Sequence, residues 1–164
     1  MKYSLEDYLK LLLEDGKRLV VLGAGSVLKA DDAAGVMVVE RLIDDLGGES
    51  FPRLKIINGS TAPENFTGVI KDFKPEHVLI IDAADFKGNP GDIAVIDPAV
   101  VGGVSFSTHM LPLKIMLEYL KQEVGCGVSI VGIQPADLTF GGEVTAEVKK
   151  AVDEFVDIFV QKIK

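Results

Sequence analysis

Leu19-Val20-Val21-Leu22-Gly23-Ala24-Gly25-Ser26, followed by Asp31-Asp32-Ala33-Ala34-Gly35, decides how the rest of the chain is read. Four apolar residues in succession predict a buried strand, and Gly23 to Ser26 predict a tight loop at its end. Val36, Val39, Ile43 and Leu46 then recur at helical spacing until Gly47-Gly48 stops the stripe. A fully apolar strand, a glycine loop and an amphipathic helix make the unit of a sheet covered on both faces.

The same alternation continues outward. Leu54–Ile57, Val78–Ile81, Ile93–Ile96 and Val128–Ile133 predict four further strands. Pro63 starts a helix whose face carries Phe66, Val69, Ile70 and Phe73, and Pro75 lies beyond its end. Pro112 lies at the start of another, carrying Ile115, Met116, Tyr119 and Leu120. Val144, Val148, Val152, Phe155, Phe159 and Ile163 line the last helix. Before the first strand, Ser4 and Asp7 resemble a capping box ahead of Leu5, Tyr8, Leu9 and Leu12. The expected architecture is a three-layer α/β/α single domain with about five strands in a mostly parallel sheet. Residues 1–18 form a helical extension and residues 19–164 the domain proper.

Composition narrows the functions. The 164 residues suffice for one domain that buries roughly 70% of its unfolded surface. Seventeen Lys and Arg against 25 Asp and Glu give a net charge of −8, which argues against nucleic acid or an anionic membrane as partner. One cysteine, Cys126, excludes an internal disulfide and a thiolate zinc cluster. No apolar run approaches the ~20 residues of a membrane span, and Met1 to Arg18 lacks the apolar core of a secretory signal. A cytoplasmic, monomeric protein is expected.

In open α/β sheets, ligands sit beyond the carboxyl ends of the strands. Asp32, Asp82 and His109 all fall in segments expected at that edge. A dinucleotide fits poorly there, because Leu28 stands where the fingerprint needs its third glycine and Asp31-Asp32 would repel a pyrophosphate. One aspartate suffices to cap a helix, so the division read here is Asp31 as cap and Asp32 facing the cleft. Asp82 alone is also explained as an acceptor of loop N–H groups, and His109 alone as a surface residue. Together, two carboxylates and an imidazole suit divalent nickel, zinc or iron with positions left open. His77 follows Pro75-Glu76 at the opposite edge and is read as a surface residue. Gly25, Ser26, Asp31 and Gln134 are expected along a substrate's path, with an ordinary loop role for Gln134 as the alternative.

Five segments in order resemble the hydrogenase maturation endopeptidases. They are Gly23-Ala24-Gly25-Ser26 through Gly35, Asn58-Gly59-Ser60-Thr61-Ala62-Pro63-Glu64-Asn65, Ile81-Asp82-Ala83-Ala84-Asp85 with Asn89-Pro90-Gly91, Ser107-Thr108-His109-Met110-Leu111-Pro112-Leu113, and Gly132-Ile133-Gln134-Pro135. The Ala-Pro-Glu-Asn and Thr-His-x-x-Pro-Leu pieces are most similar to the branch serving formate hydrogenlyase and energy-converting hydrogenases. Ser26 and Met110 stand where the family often has Asn.

The resemblance implies a peptidase that trims the C-terminal extension of a NiFe hydrogenase large-subunit precursor after nickel insertion. It implies that Asp32, Asp82 and His109 contact a nickel ion carried by that precursor, a place zinc or cadmium can take in a crystal. Hydrolysis would be metal-dependent or aspartate-assisted. A non-enzymatic nickel- or precursor-binding factor is the alternative, with a dinucleotide-binding module behind it.

Overall fold

The computed structural model describes residues 3–47, 51–98, 105–106 and 110–164. Its strands are β1 (Leu19–Ala24), β2 (Leu54–Ser60), β3 (His77–Asp85), β4 (Ile93–Ile96), β5 (Ser105–Phe106) and β6 (Gly127–Ile133). Its helices are α1 (Leu5–Leu13), α2 (Ala34–Leu46), α3 (Thr67–Phe73), α4 (Met110–Tyr119) and α5 (Ala146–Ile163). All five expected strands are present. The two-residue β5, antiparallel to the end of β3, is too short to leave a periodic signal.

The sheet order is β2-β1-β3-β6-β4. The first four strands run parallel, and β4 closes the edge antiparallel to β6. β1 is buried along its whole length, as a strand covered on both faces must be. One face carries α1, α2 and α5, with Leu9, Val39, Leu42, Val152, Phe155 and Phe159 in its core. The other carries α3 and α4 over Val20, Leu22, Ile80 and Ile130, with Ile70, Met116 and Leu120 inserted.

α1 starts where Ser4 Oγ accepts the Asp7 N–H at 3.0 Å, the cap read from the sequence. Leu5, Leu9 and Leu12 then pack into the same core as α5. Three residues expected in helical stripes, Ile43, Val69 and Ile115, are exposed instead. Each sits one position from a buried residue (Leu42, Ile70 and Met116), at the rim of an arc that spacing alone places only to within a residue. The expected stop at Gly47-Gly48 is half visible: Gly47 ends α2, and Gly48 lies outside the described residues.

His77 is not a surface residue. It opens β3 half-buried, with Nε2 2.7 Å from Ser129 Oγ. Burial, with help from the Lys17 charge, lowers its pKa to about 4, so the ring is neutral at ordinary pH.

Candidate active site

β1 leads through α2 to β2 on one side, and the chain then returns through α3 to β3 on the other. The strand order therefore reverses between β1 and β3, and a crevice is expected at their carboxyl ends. Two close approaches shape this edge. Gly25 has φ +141°, and a Cβ there would lie 1.9 Å from the Asp32 carbonyl oxygen. A Cβ on Gly35 would lie 2.1 Å from the carbonyl of Ile81 and 2.5 Å from that of Ala24. Only glycines let the start of α2 and the turn before it settle onto the strand ends. That turn, residues 30–33, packs directly against β3.

Asp32 is delivered by this turn and is almost fully buried. Its Oδ2 accepts the Ser26 N–H at 2.9 Å. Its Oδ1 is buried with no hydrogen-bond partner among the described residues. Asp82 is buried within β3, pairs in register with Gly132 of β6, and alternates onto the face of Ile80 and Ala84. α4 packs on that same face, beginning at Met110. His109, the third expected ligand, lies outside the described residues. Among the described residues, no three His, Cys, Asp or Glu side chains gather closely enough to hold a metal ion.

Asp31 is not the helix cap. α2 is entered through a 3₁₀ turn with no side-chain cap, and the Asp31 carboxylate turns the other way. Its Oδ2 accepts the N–H groups of Ala136 (2.8 Å) and Asp137 (3.0 Å), and its Oδ1 accepts that of Thr145 (2.7 Å). The Thr145 hydroxyl donates to the same carboxylate, and the Asp31 N–H donates to the Asp137 carbonyl. A buried carboxylate so surrounded by donors is stable and fixes what surrounds it. Asp31 braces the β6–α5 loop against the segment that carries Asp32. The local capping rule could not find this, because the partners lie 105 to 114 residues later.

Gln134 is committed internally as well. Its Oε1 accepts the Phe86 and Gly88 N–H groups, both at 3.0 Å, and its Nε2 donates to Asp85 at 3.1 Å. It fixes the loop that follows β3. The Lys87 N–H and then Gln134 hold the Asp85 carboxyl below its usual range. Ser26 contributes its backbone N–H to Asp32, and its hydroxyl accepts the Leu28 N–H at 3.2 Å. Of the expected site residues, Gly25, Ser26, Asp31, Asp32, Asp82 and Gln134 thus converge on one edge of the sheet. The 136–145 loop joins them, a part of this edge that no spacing in the sequence signals.

Comparison with known proteins identifies the family and the fold. The family model for hydrogenase maturation protease matches residues 36–162. The hydrogenase 3 maturation protease of Escherichia coli K12 is 34% identical, over 82% of this chain and 83% of its own. The crystal structure of a NiFe hydrogenase maturation protease, HycI, from Thermococcus kodakarensis superposes with a TM-score of 0.84. It is 31% identical and covers 95% of this chain and 98% of that one. The solution structure of the endopeptidase HycI from Escherichia coli superposes at 0.72, also 31% identical, covering 88% and 90%. A peptidase whose buried aspartates gather where the strand order reverses, the chain belongs to the hydrogenase maturation protease family.

Proposed function

We propose that this protein removes the C-terminal extension of a NiFe hydrogenase large-subunit precursor after nickel has been inserted. Asp32, Asp82 and His109 contact the nickel ion that the precursor carries. The observation that carries this reading is Asp32 Oδ1, a carboxylate oxygen buried at the carboxyl edge of the sheet with no hydrogen-bond partner among the described residues. Such an oxygen costs free energy until a cation or donor reaches it. Ser26 holds the other oxygen, so the open one is fixed in place before substrate arrives. Oxygen donors from Asp32 and Asp82 suit a divalent cation, and His109 precedes α4, the helix packed on Asp82's face of the sheet. Zinc or cadmium would fit the same donors.

The bound ion supplies positive charge that fixes the tail and polarises the scissile carbonyl. The protein's own carboxylates then accept the proton of the attacking water, whose oxygen bonds to the carbonyl carbon as the C–N bond breaks. The proton passes to the departing amine, leaving a shortened precursor and a free peptide. Asp31 and Gln134 act on substrate only through the loops they hold. A dinucleotide gains no support, since the Ser26 N–H that would meet a phosphate already serves Asp32. No described helix is long and apolar enough to cross a membrane, and we place the reaction in the cytoplasm, carried out by a monomer.

Intact-mass analysis of precursor incubated with the protein tests the reading. Nickel-loaded precursor should lose its extension, and nickel-free precursor should keep it. Stable binding without any change in mass would make the protein a non-enzymatic maturation factor.

A further inference from the structure

Four large apolar side chains stand in water at the carboxyl edge of the sheet: Phe140 is 74% exposed, Val27 64%, Leu28 59% and Leu138 41%. They come from two loops, one after β1 and one after β6, at the same edge of the sheet. The loops are joined: the Gly141 N–H donates to the Leu28 carbonyl at 2.7 Å, and the Asp31 N–H to the Asp137 carbonyl at 2.9 Å.

Each loop is also held internally. Leu28 N–H donates to Ser26 Oγ, Thr139 N–H to Asp137 Oδ1 at 2.9 Å, and Gly142 N–H to the Thr139 carbonyl at 3.0 Å. The buried Asp31 carboxylate ties the whole to the Asp32 turn. Clustered apolar groups on a loop already fixed in this way lose little further freedom when covered, which favours binding. Exposed patches of this kind mark interaction sites.

We propose that Val27, Leu28, Leu138 and Phe140 form the surface on which the precursor seats an apolar segment beside its scissile peptide. This rests on the functional reading above. Continuity selects the occupant. The patch begins one residue after Ser26, whose N–H holds Asp32, and an endopeptidase crevice is by its reaction a protein-binding surface. Whatever covers Leu28 therefore meets the loop whose Ser26 N–H holds Asp32. Phe140 is the anchor, because large aromatic side chains carry most of the energy at protein contacts. The patch thereby selects for the folded precursor over loose peptides that merely contain the cleavage sequence.

Leu28→Ser and Phe140→Ser, singly and together, test this. Both side chains are exposed, so the melting temperature should hold. Dissociation constants for the nickel-loaded precursor, measured by biolayer interferometry, are read beside KM and kcat from intact-mass time courses. The double variant should bind roughly tenfold or more weakly and raise KM in parallel, with kcat at saturation within about twofold. Phe140→Leu should recover most of the affinity. Unchanged affinity and KM in the double variant would overturn the proposal while wild-type cleavage left the protease reading intact. Binding that depends on Leu28 and Phe140 without cleavage would uphold the surface and sink the protease reading. A wild-type dimer in sedimentation that Phe140→Ser dissociates, with KM unchanged, would assign the patch to a second copy instead and overturn the proposal.

Discussion

The Asp31 carboxylate collects the N–H groups of Ala136, Asp137 and Thr145, while its neighbour Asp32 keeps one buried oxygen without a hydrogen-bond partner among the described residues. Substitution should separate the two. Asp31→Ala strands three N–H donors, each costing about 1–3 kcal/mol, so chemical denaturation should show a loss of at least about 3 kcal/mol. Asp32→Asn keeps an oxygen for Ser26 and removes a buried charge. Its melting temperature should stay the same or rise, while processing fails. A stable Asp31→Ala and an unfolded Asp32→Asn would reverse the assignment. Position along the chain singled out both residues, since each follows a strand that ends at the functional edge. A structural Asp31 beside a cleft-facing Asp32 is legible in the pair, but what Asp31 holds is not, because capping is a local rule and its partners lie on a loop more than a hundred residues away.

Strands and helices of the expected kinds follow from hydrophobic period, because burial on one face or both imposes it. What the period leaves open is the rim of each buried arc, hence the exposed Ile43, Val69 and Ile115, and any pairing as short as β5. At this scale α1 is part of the core, with Leu5, Leu9 and Leu12 buried. Leu9 is fully buried in the core it shares with α5, so Leu9→Ala should cost about 2–5 kcal/mol in urea denaturation. A loss near zero would mean that α1 is only loosely attached. The junction of α2 with the sheet makes a sharper demand. Gly35→Ala drives a methyl into the Ile81 and Ala24 carbonyls, and overpacking of this kind costs about 1–3 kcal/mol. It should also slow processing, by shifting the turn that carries Asp32.

Across the whole molecule, the two edges of the sheet do different things. The carboxyl edge holds the buried Asp31, Asp32 and Asp82 and the exposed Val27, Leu28, Leu138 and Phe140. The amino edge holds a neutral, half-buried His77 against Ser129. With a folded pKa near 4 and an ordinary value near 6.5, the unfolded chain takes up this proton first as pH falls. Stability from this residue is complete above about pH 6.5, declines as pH drops toward 4, and is level below that. Urea midpoints across pH 3.5 to 8 should therefore converge for wild type and His77→Gln at the acid end, relative to their separation at neutral pH. Equal spacing at every pH would contradict a buried neutral ring.

The central claim is that Asp32, with its buried open oxygen, makes this protein a protease of the nickel-loaded precursor. It is tested most directly by the rate at which wild type and Asp32→Asn shorten that precursor, followed by intact mass under identical conditions. The account predicts loss of the C-terminal extension with wild type, and a rate lower by about 10²- to 10⁴-fold with Asp32→Asn at a melting temperature no lower than that of wild type. Cleavage by Asp32→Asn at the wild-type rate would contradict it.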